Sequence, residues 1–160
     1  MKALFNSKTD LVLEREIAVP LALVWEAWTQ PKHIKEWFCP KPWRVVECEI
    51  DLQPGGVFRF VMEGPAGERA EHVTCYLAVE NQKRLVWSTA MHPGFRPAPV
   101  SKGVPDFTAV IEFSAVSASK TRYVATAMHR DQASSEQHAK MGFLEGWGIC
   151  ADQLEALMKR

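Results

Sequence analysis

The sequence predicts an α+β fold: a curved seven-stranded antiparallel sheet wrapped around a long C-terminal helix, with two short helices after the first strand. Three observations predict it. Helical spacing of apolar residues is confined to two stretches, one shortly after the N-terminus and one at the C-terminus. The segment between them alternates apolar and polar residues in short runs separated by tight turns. Strands linked by short turns pair with their neighbours, and helices kept apart from the strands belong to α+β architectures.

The first strand is "LVLEREIAV", where Leu11, Leu13, Arg15, Ile17 and Val19 share one face and Val12, Glu14, Glu16 and Ala18 the other. That period of two marks a half-buried strand. Pro20 ends it and suits the entry to a helix, in which Leu21, Val24, Trp25 and Trp28 recur at helical spacing. Pro31 stops that helix, "KHIKEWF" reads as a second short one, and Pro40 and Pro42 mark a loop. Strands are then expected over 45–52, 57–63, 69–80 and 84–91, with turns at "PGG", "GPAG" and "NQK". "HPGFRPAPVSKGVPD", residues 92–106, carries four prolines and reads as a long loop of the kind that serves as a lid or binding loop. "FTAVIEFSAV" and "TRYVATAMHR" are the last two strands, around "SASK".

"DQASSEQHAK" opens the final helix, with Asp131 or Ser134 as its cap. Leu144, Ala151, Leu154 and Met158 carry it on at helical spacing. Gly142, Gly146 and Gly148 sit inside this expected helix, and each glycine costs roughly 1 kcal/mol relative to alanine. Their expected role is close approach of the helix to the sheet or to a ligand, with Phe143 and Trp147 filling or lining the space.

A chain of 160 residues suits one domain, with a core from about 11 to 158. The formal net charge is zero and no dense Lys/Arg run occurs, which argues against nucleic acid or an anionic membrane surface as partner. No apolar run approaches the roughly 20 residues of a membrane span. "MKALFNSKTD" lacks the apolar segment of a signal peptide, so a cytoplasmic location is expected. Cys39, Cys48, Cys75 and Cys150 are scattered without a CxxC pair and read as free, buried, small hydrophobes. His33 and Cys39 have no partners at metal-ligand spacing, and neither a metal nor a cofactor is expected.

Taken together, "VPLALVWEAWTQPKHIKEWF", "DLQPGGVFRFVMEGPAGE" and "GWGICADQLEAL" resemble the START-like, Bet v 1-like (SRPBCC) superfamily of helix-grip domains. Within it the chain looks closest to bacterial relatives of the C-terminal domain of the Hsp90 ATPase activator Aha1. The resemblance implies the seven-stranded sheet, the long C-terminal helix and a cavity between them. Superfamily members bind sterols, lipids, polyketides and plant hormones, and some are cyclases or hydroxylase components. The resemblance therefore implies a hydrophobic or amphipathic small-molecule ligand. A cavity-based enzyme of cyclase or hydrolase type and an Hsp90-activator-like interaction module, with a chaperone as partner, are the alternatives. A symmetric homodimer is the expected form of any self-association. The chain departs from its relatives at Cys75, where glycine is common, and in the length of its proline-rich loop.

In that architecture Trp37, Phe38, Phe60, Trp87, Phe143 and Trp147 are the candidate cavity walls, although aromatic side chains also fill ordinary cores. Tyr123, Ala125, Ala127 and His129 share one face of a strand, and the two alanines would leave room beside the helix. His129 is the candidate polar group of the cavity; its alternative is a strand-end histidine bonded to a loop. Arg59 and Glu112 alternate with apolar neighbours and read as water-facing. No G-x-S-x-G stretch offers a serine nucleophile. Cys39 lies near the expected rim but has no base assigned to it. The glycine-rich turns lack the phosphate-loop pattern.

Overall fold

A computed structural model describes residues 5–160. The chain begins with β1 (Asp10–Ile17), followed by the short helices α1 (Leu21–Thr29) and α2 (Pro31–Trp37). The break between the helices falls where Pro31 requires it. Gln30 is extended, with φ −111° and ψ 123°, and Pro31 opens α2. Four strands follow: β2 (Arg44–Ile50), β3 (Val57–Glu63), β4 (Arg69–Glu80) and β5 (Arg84–Ser88). A two-residue ribbon, β6 (Met91–His92) with β7 (Arg96–Pro97), precedes the last long strands, β8 (Thr108–Ser117) and β9 (Lys120–Met128). The chain ends in α3 (Gln132–Lys140) and α4 (Phe143–Met158).

The main sheet has seven strands in the order β1-β9-β8-β5-β4-β3-β2, and every pairing is antiparallel. The α+β fold read from the sequence is the one observed. Its curvature is aided by register shifts between Val45 and Glu47 on β2, between Tyr76 and Ala78 on β4, and between Ala115 and Ser117 on β8, since an extra residue bends a strand. The inner face of β9 is built from Tyr123, Ala125 and Ala127, all buried. These pack with Trp28, Phe58, Leu85, Trp87, Ile111 and Leu154 into one core between sheet and helices.

Two elements differ from expectation. The strand expected to run to Met91 stops at Ser88, because the Ala90 N–H donates to Ser88 Oγ at 3.2 Å. This is a local side-chain turn that competes with the strand ladder. The 92–106 segment is correspondingly not irregular throughout, and its first part forms the β6–β7 ribbon. Phe95 at the ribbon tip rests on Gly55, 3.0 Å from where a Cβ on that glycine would sit.

The second difference corrects the single final helix. Asp131 caps α3 by accepting the Ser134 N–H at 2.8 Å, but the helix closes at Lys140 and a new one starts at Phe143. Gly142 makes the break, with φ +93°, a left-handed conformation that glycine reaches without a Cβ penalty. Of the three glycines, this one is outside helical geometry altogether.

Candidate functional site

A cavity of about 520 Å³ opens between the sheet and the helices. Helix α1 contributes Trp28; α2 and the residues after it contribute Trp37, Phe38 and Pro40. Strands β3, β4, β5 and β9 add Phe60, Met62, Glu71, His72, Trp87 and Tyr123. The segment after β7 supplies Ser101, Lys102, Val104, Pro105 and Phe107, and the C-terminal helices supply His138, Trp147 and Cys150.

The wall is held from several sides. The Trp37 indole N–H donates to the Ala27 carbonyl at 2.8 Å, which locks α2 onto α1. Gln153 on α4 donates to the Trp37 and Cys39 carbonyls at 3.0 and 2.8 Å and accepts the Lys41 N–H at 3.1 Å. That clamp satisfies the open carbonyl end of α2 and places Phe38 against Phe58 and Phe60, with ring centroids 5.5 and 4.9 Å away. Trp87 on the sheet and Trp147 on α4 stack near-parallel in the cavity wall, with ring centroids 6.4 Å apart at 11°.

The proline-rich segment is pinned over this space by Asp106. Its carboxylate accepts from the Thr89 hydroxyl at 3.0 Å and from the Ser101 hydroxyl at 2.6 Å. Gln137 on α3 donates to the Gly103 carbonyl at 2.8 Å.

Of the residues expected at the cavity, Trp37, Phe38, Phe60, Trp87 and Trp147 line it. His129 and Phe143 stand one layer behind. Nδ1 of His129 bonds the Thr9 carbonyl at 2.9 Å, and its Nε2 meets Nδ1 of His138 at 2.8 Å. Phe143 packs on His138 and Trp147, with centroids 5.2 and 4.8 Å apart. The three glycines of the C-terminal segment are not among the lining residues either. Trp147, between two of them, is.

Sequence reasoning missed Trp28, His72, Phe107 and His138 as wall residues. His138 sits in "SSEQHAK", which looks water-exposed at first reading. The available signal was its spacing of three from Ser135, since these are the two buried residues of α3.

The polar groups of the wall are mostly neutral or already engaged. Glu71 accepts from Arg59 Nε at 2.7 Å. His72 stacks on Phe60 at 4.9 Å and 24°, and burial lowers its pKa. Burial, and secondarily His129, depress His138 from 6.5 to about 4. Burial pushes the Cys150 thiol up to about 12, so it is a poor nucleophile. Cys39 lines a separate groove beside Lys35 and Trp43, and burial pushes it up to about 11. The indole N–H of Trp87, a lining residue, has no hydrogen-bond partner among the described residues, whereas that of Trp28 is turned toward the Tyr123 hydroxyl. Among the described residues no group of three or more His, Cys, Asp or Glu side chains is placed to hold a metal ion. No described helix is long and apolar enough to cross a membrane.

Residues 18–159 match the family described as "Activator of Hsp90 ATPase homolog 1-like protein". The chain belongs to this family. A solved structure of a protein from Nitrosomonas europaea shares 45% identity with this chain, covers 97% of each chain and superposes with a TM-score of 0.90. A protein from Mycobacterium smegmatis shares 23% identity over 94% of this chain and 91% of its own, with a TM-score of 0.77. The AHSA1 protein from Silicibacter pomeroyi shares 18% identity over 94% and 97%, with a TM-score of 0.67. At those identities the last two speak for the fold alone. No curated protein matches the chain.

Proposed function

We propose that this chain binds a largely apolar small molecule, with ring-sized bulk, in the cavity between the sheet and α4. The observation that carries this reading is the wall itself. Eight aromatic carbocyclic or indole side chains, Trp28, Trp37, Phe38, Phe60, Trp87, Phe107, Tyr123 and Trp147, surround about 520 Å³. That volume lies within the roughly 300–1,000 Å³ of small-molecule pockets. The unpaired indole donor of Trp87 supports the same reading, because a buried donor without an acceptor costs about 1–3 kcal/mol.

Native mass spectrometry of the purified protein tests it, followed by extraction of bound material. The expected result is an extra mass that denaturation releases. An apo mass, with tryptophan fluorescence unchanged by titration with Nile red, would overturn the reading.

A second reading is an interface toward a chaperone. It is supported by the family and by apolar side chains exposed on and near the proline-rich segment, Phe95 at 50% and Val100 at 74%. It predicts that the protein stimulates the ATPase of purified Hsp90 and that Val100→Asp abolishes the effect. No stimulation at saturating protein ends that reading.

A further inference from the structure

We infer that His138 presents an unprotonated Nε2 to the cavity, and that the occupant carries a neutral hydroxyl or N–H donor that meets it. The ligand class rests on the cavity reading above; the protonation state of the histidine does not. The Thr9 carbonyl can only accept a hydrogen bond, so the proton of the 2.9 Å contact belongs to Nδ1 of His129. A neutral ring protonated at Nδ1 has its lone pair on Nε2. That lone pair faces Nδ1 of His138 at 2.8 Å, so Nδ1 of His138 carries the next proton. In a neutral imidazole the other nitrogen is then bare. The Thr9 carbonyl, through His129, thus dictates the tautomer of a residue on a different element.

Nε2 is the remaining polar atom of the His138 ring, and no described residue bonds it. The ring lines the cavity and is flanked by Phe107 and Phe143, with centroids 5.0 and 5.2 Å away. A bare acceptor among aromatic rings selects a donor. It disfavours a carboxylate, whose oxygens would meet the lone pair head-on. Burial keeps the ring neutral near pH 7 by holding its pKa well below the ordinary value. His129 acts through His138 and is therefore a positioning residue.

Two measurements on the full chain test the proposal. The first is the nitrogen-15 spectrum of the histidine rings above neutral pH. The expected result is a His138 ring protonated at Nδ1 and bare at Nε2. A proton on Nε2, which a charged His129 would enforce, overturns the proposal. The second compares three probes by calorimetry: thymol, its methyl ether and the carboxylate cuminate. Thymol is expected to bind about tenfold more tightly than the ether, and cuminate more weakly than thymol. In His138→Asn, which keeps an N–H toward His129 but lacks Nε2, thymol and its ether bind alike. Equal affinities of thymol and ether in the parent protein sink the proposed donor preference while leaving the cavity reading intact. Cuminate binding as well as thymol would move recognition to Lys102 and overturn it too. If none of the three probes binds, the cavity reading fails and takes the ligand class with it, and the ring spectrum still decides the tautomer.

Discussion

The guanidinium of Arg15 lies across Gly148: a Cβ on that glycine would come 2.6 Å from an Arg15 terminal nitrogen. The same guanidinium pairs with Asp152 at 3.1 Å, one helical turn further along α4. The group in the way is the far end of a flexible side chain, so Gly148→Ala displaces Arg15 and leaves the sheet in place. The displaced pair is 40% and 70% exposed, and such pairs contribute about 0–1 kcal/mol. Alanine in a helix interior recovers about 1 kcal/mol. Gly148→Ala is therefore expected to leave the urea midpoint nearly unchanged.

Gly146 and Gly142 should part company. A Cβ on Gly146 would meet only Pro40, at 4.0 Å, which is ordinary contact. Gly146→Ala should stabilise the protein by about 0.5–1 kcal/mol. Gly142 has open space around it but a φ of +93°, so Gly142→Ala should destabilise by about 1–2 kcal/mol despite the room. Denaturant melts that shift in the same direction for both would contradict the break between α3 and α4.

His138 makes stability depend on pH in a defined window. Its folded pKa, about 4, lies below the ordinary 6.5, so the unfolded chain binds the proton more readily. This contribution is fully present above pH 6.5 and is lost as pH falls toward 4. The groups packed on the ring are His129, Phe107 and Phe143. Allowing for residual solvent screening, the loss is on the order of 2 kcal/mol. His138→Phe, measured by urea unfolding at several pH values, should flatten this part of the profile. An unchanged slope would remove His138 as its source.

The thiols should resist alkylation in the folded protein. Burial raises Cys39 to about 11 and both Cys48 and Cys150 to about 12, so little thiolate is present at neutral pH. Iodoacetamide followed by intact-mass analysis should show slow labelling in buffer and four labels in urea, one for each cysteine. Fast single labelling of the native state at Cys39 would revive it as a reactive group.

Asp106 should govern the order of the segment over the cavity. Asp106→Ala removes acceptors for Thr89 and Ser101. The expected outcome is faster proteolytic cleavage between 98 and 105 with little change in the global melt. Equal cleavage rates would assign the order to the Gln137–Gly103 bond instead.

The sheet was legible because period-two alternation and glycine turns are local signals, and strand ends at Glu63 and Glu80 fell where the pattern placed them. The proline breaks at Pro20 and Pro31 were legible for the same reason. The break at Gly142 was not, because helix-forming residues lie on both sides, with no proline between them, and a lone glycine reads as a weak helix position. The aromatic wall was partly legible, since strand parity turns Phe60 and Trp87 inward. His138 escaped because its burial depends on Phe107, Phe143 and His129, which come from other elements. His129 was placed on the correct face, but what it touches is decided by the Thr9 carbonyl, some 120 residues away in sequence.

The near-parallel Trp87 and Trp147 stack the sheet onto α4 in the cavity wall. Two indoles at that separation share their electronic excitation, and the coupling changes steeply with distance and angle. The protein therefore carries its own optical ruler. Any occupant that pushes α4 away from the sheet alters this pair's share of the tryptophan band in circular dichroism, and Trp147→Phe separates that share from those of the Trp28–Trp37 and Trp28–Trp87 pairs.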